Sequence, residues 1–257
     1  VKKMILISLA SVILLSSCGM KDAPQNSEEV NKKQPTTTEV TEKDKDKEDE
    51  LTLAAAFFNE IEEVNGERII TNPDNIAVKV NQEARLPDEY RPEDLVEVDV
   101  PFMYETTDER NMLREEAAKA LEQLFAAAEE EGYQLYAVSG FRPFSRQQML
   151  YNQAVENQGK DQELVAMPGH SEHQTGLAMD VATDALTEEF GLTSEGIWVA
   201  EKAHQYGFVI RYPKGKEEIT GYQYEPWHLR YVGKKVAADL VAYDYTLEEY
   251  FENVKKM

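Results

Sequence analysis

Apolar residues recur at intervals of three and four through Leu113, Ala117, Ala120, Leu121, Leu124, Phe125 and Ala128. That spacing keeps one face of a 3.6-residue helix apolar, and Gly132 is a natural stop, so a helix is predicted over 108–131. The same reasoning, led by Ala54-Ala55-Ala56-Phe57-Phe58, predicts a helix over 51–64. Further helices are predicted over 145–157, 194–206 (Ser194 as N-cap, Gly207 as stop), 233–243 and 247–254. Short β-rich runs predict strands over 133–139, 176–181, 208–211 and 227–232, with weaker β-like runs at 76–80 and 95–100. Helices and strands do not alternate as βαβ units, and no internal repeat appears. The pattern therefore predicts an α+β domain with a mostly antiparallel sheet and flanking helices.

The first fifty residues follow another logic. Lys2 and Lys3 precede an uncharged run from Met4 to Leu15, which leads into Leu15-Ser16-Ser17-Cys18. A basic start, a short apolar stretch and small residues before a cysteine predict a lipoprotein signal over 1–17, with Cys18 as the lipidated residue. About a dozen apolar residues are too few to span a bilayer stably. Cys18 is the only cysteine of the 257 residues, which excludes an intrachain disulfide framework and any cysteine-based zinc site. Residues 19–50 hold no aromatic residue and a nine-residue charged tract from Glu42 to Glu50. Such a segment buries too little apolar surface to offset its ordering entropy, so 18–50 reads as the lipidated Cys and a solvated tether. The folded domain is expected over 51–257, long enough for a full core.

The whole chain carries a net charge of −22. Setting aside the two leader lysines and the tether's six basic and ten acidic residues leaves −20 on the domain. A surface this acidic excludes electrostatic binding to nucleic acid or to anionic lipid. The expectation is that the membrane enters only through the anchor, with the protein on the outer face of the cell membrane.

Three short segments concentrate the chemistry. In Ser171-Glu172-His173-Gln174-Thr175-Gly176-Leu177-Ala178-Met179-Asp180 a His and an Asp stand seven apart across a glycine. Glu225-Pro226-Trp227-His228 places a carboxylate three residues before a second His, and Ser139-Gly140-Phe141-Arg142 presents a guanidinium on a strand-to-helix turn. Catalytic zinc takes three nitrogen or oxygen ligands and keeps a position open for water. His173, Asp180 and His228 would supply them, with Glu225 reaching the water as general base. Arg142 would steady charge on the reacting carbonyl or grip a substrate carboxylate. His170, three residues before His173, competes as a ligand if its turn is helical. His204 reads as a helix-end histidine and Trp227 as a packing residue that could also wall a cleft.

Taken together, Ser139-Gly140-Phe141-Arg142 with Gln147, Ser171-x-His173-x-x-Gly176-x-Ala178-x-Asp180, and Glu225-Pro226-Trp227-His228-x-Arg230-Tyr231 resemble the VanY-type zinc D-Ala-D-Ala carboxypeptidases from about residue 70 to 250. Phe141 stands where the family commonly has Tyr. The resemblance implies the compact fold shared with Hedgehog-type domains, with the metal in a cleft. It implies Zn2+ on His173, Asp180 and His228, the base at Glu225, and the oxyanion partner at Arg142. It further implies that Ser171 and Gln147 bind the polar ends of the substrate, a peptidoglycan stem peptide losing its C-terminal D-alanine. The expectation is a monomeric D,D-carboxypeptidase. An L,D-carboxypeptidase acting on the tetrapeptide, an endopeptidase, and a wall-binding lipoprotein without turnover are the alternatives.

Overall fold

The computed structural model describes residues 50–105, 108–160, 162 and 164–257. The predicted signal, Cys18 and nearly all of the tether lie outside these residues. The described chain opens with β1 (Thr52–Leu53), a 3-10 turn at Ala55–Phe57, β2 (Ile61–Val64) and β3 (Glu67–Ile70). No helix forms over 51–64. Ala54, Ala55 and Ala56 are exposed, so their helix propensity has no packing surface to reinforce it. Asn65 and Gly66, both at positive φ, instead turn β2 back on β3 as a two-residue hairpin.

The 76–80 run forms no strand, although Ala77, Val78 and Val80 are fully buried. Its backbone is satisfied by side chains: Arg230 Nη2 donates to the carbonyls of Ile76 and Val78, at 3.0 and 2.8 Å, and Asn59 binds Lys79 from both ends of its amide. A buried segment can dispense with a ladder when its polar groups find other partners.

β4 (Leu95–Glu97) pairs antiparallel with β5 (Met112–Arg114), and α1 follows at Glu115–Glu130. The helix thus begins seven residues later than the predicted start at 108. Leu113 is buried as predicted, but from a strand. The Met112 and Arg110 carbonyls accept from the N–H groups of Phe141 and Gly140, which holds this stretch extended. After β6 (Tyr136–Ser139) come α2 (Phe144–Gln158), β7 (Ala178–Ala182), α3 (Ser194–Lys202), β8 (Phe208–Tyr212), α4 (Glu217–Thr220), β9 (Glu225–Tyr231), α5 (Lys234–Tyr243), α6 (Leu247–Asn253) and β10 (Lys255–Lys256). Thr193, not Ser194, caps α3, its hydroxyl accepting from the Gly196 N–H. The helix tightens into a 3-10 turn over Ala203–Tyr206 before Gly207 ends it.

The central sheet has the order β6-β7-β9-β8, every neighbour antiparallel, as expected for the α+β class. The main core joins α1 (Leu121, Leu124, Phe125) to the sheet (Val181, Leu229, Phe208) and to Trp198 of α3. Burying each such side chain contributes about 1.5–3 kcal/mol. A second cluster joins Leu53 to Val236 and Leu240 of α5, Leu247 and Tyr250 of α6, and Val254. There β1 and β10 pair in parallel, so the first and last described strands meet. No helix among the described residues is long and apolar enough to cross a membrane.

Candidate active site

Asp180 of β7 and His228 of β9 are register partners, so the ladder itself brings them face to face. His173 arrives from a 3-10 turn, Glu172–Thr175, closed by Gly176 in the left-handed region (φ 67°). A Cβ on Gly176 would stand 2.8 Å from Leu95 and 3.1 Å from Arg114, so both the backbone conformation and the close packing call for glycine. The turn is fastened to the 140–142 segment. Arg142 N–H donates to the His173 carbonyl at 3.1 Å, and His173 Nδ1 lies 2.8 Å from the Gly140 carbonyl.

Glu225 reaches the same spot through an irregularity. Between Ile210 and Tyr212 the β8 strand advances two residues, while its partner β9 runs four, from Leu229 to Glu225. The extra residues bulge, and a bulge changes the side to which a side chain points. Glu225 Oε2 consequently lies 3.8 Å from His228 Nδ1.

The geometry gathers the predicted residues. His173 Nε2 is 3.3 Å from Asp180 Oδ2, and His228 Nδ1 is 3.1 Å from Asp180 Oδ1. One ligand atom from each of the three lies within 4.8 Å of the others, and all three residues are buried. They sit in a cleft of about 410 Å³ that Arg142, Gln147, Ser171 and Glu225 also line. Trp227 both packs on the core and lines the cleft, and Tyr212 and Tyr222 complete the wall. Arg142 Nη1 donates to Gln147 Oε1 at 2.9 Å, and Gln147 Nε2 donates to the Ala166 carbonyl at 2.7 Å. Both ends of the Gln147 amide are therefore engaged in holding Arg142 and the 166 segment. Phe141 is fully buried beneath the Arg91 guanidinium and does not line the cleft.

The other histidines stand apart from the group. His170 Nδ1 binds the Asn81 carbonyl at 2.7 Å, and His204 lines a different cavity beside α5. Four buried charged residues were not assigned from sequence: Glu172, Arg211, Arg230 and Glu248. They form a network directly behind His228. Glu172 sits inside the most informative motif, and its place beside His173 was the available signal.

The electrostatics suit a cation. Burial opposes charge on Asp180, but the two imidazoles outweigh it and hold its carboxyl well below the usual range. Burial, seconded by Arg142, lowers His173, leaving it a neutral donor. Burial also works against charge on His228, yet hydrogen bonds to Asp180 and Glu172 prevail and raise it to about 9. Burial pushes Glu225 up to about 7. A buried set of two imidazoles and a carboxylate, with further carboxylates beside it, fits Zn2+ by donor chemistry and by charge.

A metal must displace the proton from His228, so affinity should fall as pH drops below about 9. Near neutral pH, zinc binding should release about one proton from His228 and a further fraction from Glu225 as the cation lowers it. Titration calorimetry in buffers of different protonation enthalpy measures that number, and a value near zero would contradict the charge state given to His228.

The VanY family, described as D-alanyl-D-alanine carboxypeptidase, matches residues 110–234. YodJ of Bacillus subtilis (strain 168) is 51% identical over 214 residues, spanning 81% of this chain and 78% of that protein. Among solved structures, the LdcB LD-carboxypeptidase is 51% identical with a TM-score of 0.78, covering 80% of this chain and all of that one. A variant of the vancomycin resistance D,D-pentapeptidase VanY in complex with Zn(II) is 31% identical with a TM-score of 0.57, covering 68% and 98%. This chain belongs to the VanY family of D-alanyl-D-alanine carboxypeptidases. Within that family it is a zinc metallopeptidase.

Proposed function

We propose that this chain removes the C-terminal D-alanine from peptidoglycan stem peptides, with zinc held by His173, Asp180 and His228. The convergence of these three side chains with Glu225 and Arg142 in one cleft is the observation that carries the reading. Zinc bound there would acidify a water molecule and polarise the scissile carbonyl. Glu225 takes the proton from the attacking water and delivers it to the departing amine nitrogen as the C–N bond breaks. Arg142, steadied by Gln147 and Ser139, offers its guanidinium to the carbonyl oxygen as negative charge develops. In this reading Ser171, buried at the cleft wall, meets a polar end of the substrate, and its support is that position.

The tetrapeptide is the preferred substrate in this reading, making the enzyme an L,D-carboxypeptidase. Its support is the 51% identity to the LD-carboxypeptidase, against 31% to the D,D-pentapeptidase. The second reading, a D,D-carboxypeptidase acting on the pentapeptide, is supported by the family's own description. Synthetic tetra- and pentapeptides incubated with the zinc-loaded protein separate the two. Release of free D-alanine should have a kcat/KM roughly tenfold or more higher for the tetrapeptide, a gap of the size pocket contacts give. A reversed ratio assigns the D,D activity, products larger than one residue mark an endopeptidase, and silence on both substrates leaves a wall-binding protein.

We further propose that Cys18 carries the lipid and that 19–50 holds the domain, a monomer, off the membrane. The support is the leader pattern in the sequence. Cys18→Ala should move the protein from the membrane fraction to the soluble one, and an unchanged distribution would sink the anchor.

A further inference from the structure

Glu172 is completely buried, one residue before His173, and the chemistry above gives it no task. Its Oε1 accepts from Arg211 Nε at 2.8 Å and from Arg230 Nη1 at 2.6 Å. Its Oε2 lies 3.4 Å from His228 Nε2. Arg211 is forked on Glu248 of α6, with Nη1 and Nη2 at 2.8 and 2.6 Å from its two oxygens. Asn81 Nδ2 donates to the same Glu248, at 3.3 Å. Arg230 spends its remaining donors on the carbonyls of Ile76, Val78 and Tyr231. Glu172 is thereby clamped on one oxygen by two guanidinia, while its other oxygen faces the imidazole.

An imidazole can offer either nitrogen, and the one it offers depends on what holds the other. His173 is held at Nδ1 by the Gly140 carbonyl and turns Nε2 to Asp180. His228 is arranged the other way, with Nδ1 towards Asp180 and Nε2 towards Glu172. We propose that Glu172 is a positioning residue: it accepts a hydrogen bond from Nε2–H of His228 and fixes that ring with Nδ1 turned towards the metal. Arg211 and Glu248 extend the support to α6, so the chain Glu248–Arg211–Glu172–His228 ties the C-terminal helix to the metal site. The inference rests on the assignment of zinc to His173, Asp180 and His228.

A purely structural Glu172 would affect stability and leave the zinc affinity of the folded protein alone. Long-range proton–nitrogen NMR of the full-length protein, with 15N-labelled histidine and one equivalent of Zn2+, reads the tautomers directly. His228 should carry its proton on Nε2 and His173 on Nδ1. In Glu172→Gln the Nε2–H resonance of His228 should move upfield, and the zinc Kd, measured by chelator competition, should weaken about 10–100-fold. Glu248→Gln leaves Glu172 in place but loosens Arg211. It should shift the same resonance less and weaken zinc by a few-fold, and it keeps the inference testable if the first variant does not fold. A zinc-bound His228 protonated on Nδ1 overturns the inference, as does a folded Glu172→Gln with unaltered zinc Kd. So does a Glu248→Gln protein with both readouts unmoved. All three results leave the metal assignment standing. If zinc changes neither histidine in the wild-type spectrum, the metal assignment fails and the inference with it.

Discussion

Glu225→Ala is expected to lower turnover by about 10²–10⁴-fold, the usual worth of a positioned general base, while zinc content stays near that of the wild type. The first half follows from position. Glu225 Oε2 lies 3.8 Å from His228 Nδ1, beside the ligand group without belonging to it. The second half follows because the three donors remain when this side chain is gone. Burial sets the carboxyl at about 7 in the metal-free protein, and a nearby cation brings it lower. The base works ionised, so the rate should climb with pH through that ionisation and level off above it. In the variant the climb assigned to Glu225 should vanish. Metal analysis beside a pH–rate profile makes the test, and full turnover in the alanine variant would remove Glu225 from the mechanism.

Arg211→Ala should cost roughly 3–5 kcal/mol, the range for breaking a buried ion pair from one side. In a domain of this size that corresponds to a Tm lower by roughly 6–20 °C. Two guanidinia, Arg211 and Arg230, balance two carboxylates, Glu172 and Glu248, and the Arg211 and Glu172 side chains are fully out of solvent. Removing Arg211 leaves Glu248 without its fork and Glu172 with one guanidinium instead of two. Both carboxyls are held low: burial acts against them, but the arginines outweigh it. The sign follows. Groups depressed on folding stabilise above the ordinary glutamate value, about 4.3, and lose that contribution as pH falls towards their folded values. Thermal melts at neutral and acid pH should therefore show the gap between wild type and variant narrowing in acid. A variant that melts with the wild type at neutral pH would mean the network adds nothing.

The metal-binding chemistry was legible because it is carried by residue types at short, fixed spacing. His173 and Asp180 stand across a glycine, and Glu225 stands three before His228. The four-stranded sheet was legible from its β-rich runs. The late start of α1 comes from a contact distant in sequence. Residues 112–114 continue the helical spacing of α1, yet pair with Leu95–Glu97, which periodicity cannot reveal. The 51–64 segment shows a weaker reading, because Asn65-Gly66 is a hairpin signal in plain view and the alanines before it drew the helix assignment. Glu172, Arg211, Arg230 and Glu248 were invisible for a further reason. Charged side chains are expected at the surface, and these four find one another across separations of 37 to 58 residues.

The pairing of Asp180 with His228 across two strands also governs how the chain must thread. Side chains alternate along a strand, so a slip of β9 against β7 by one place would send the imidazole to the far side of the sheet. Such a misaligned product could keep its backbone ladder and still have lost its hold on the cation. Metal capture thus rewards only the correctly registered chain, and the ion that serves the chemistry also discriminates among folded forms.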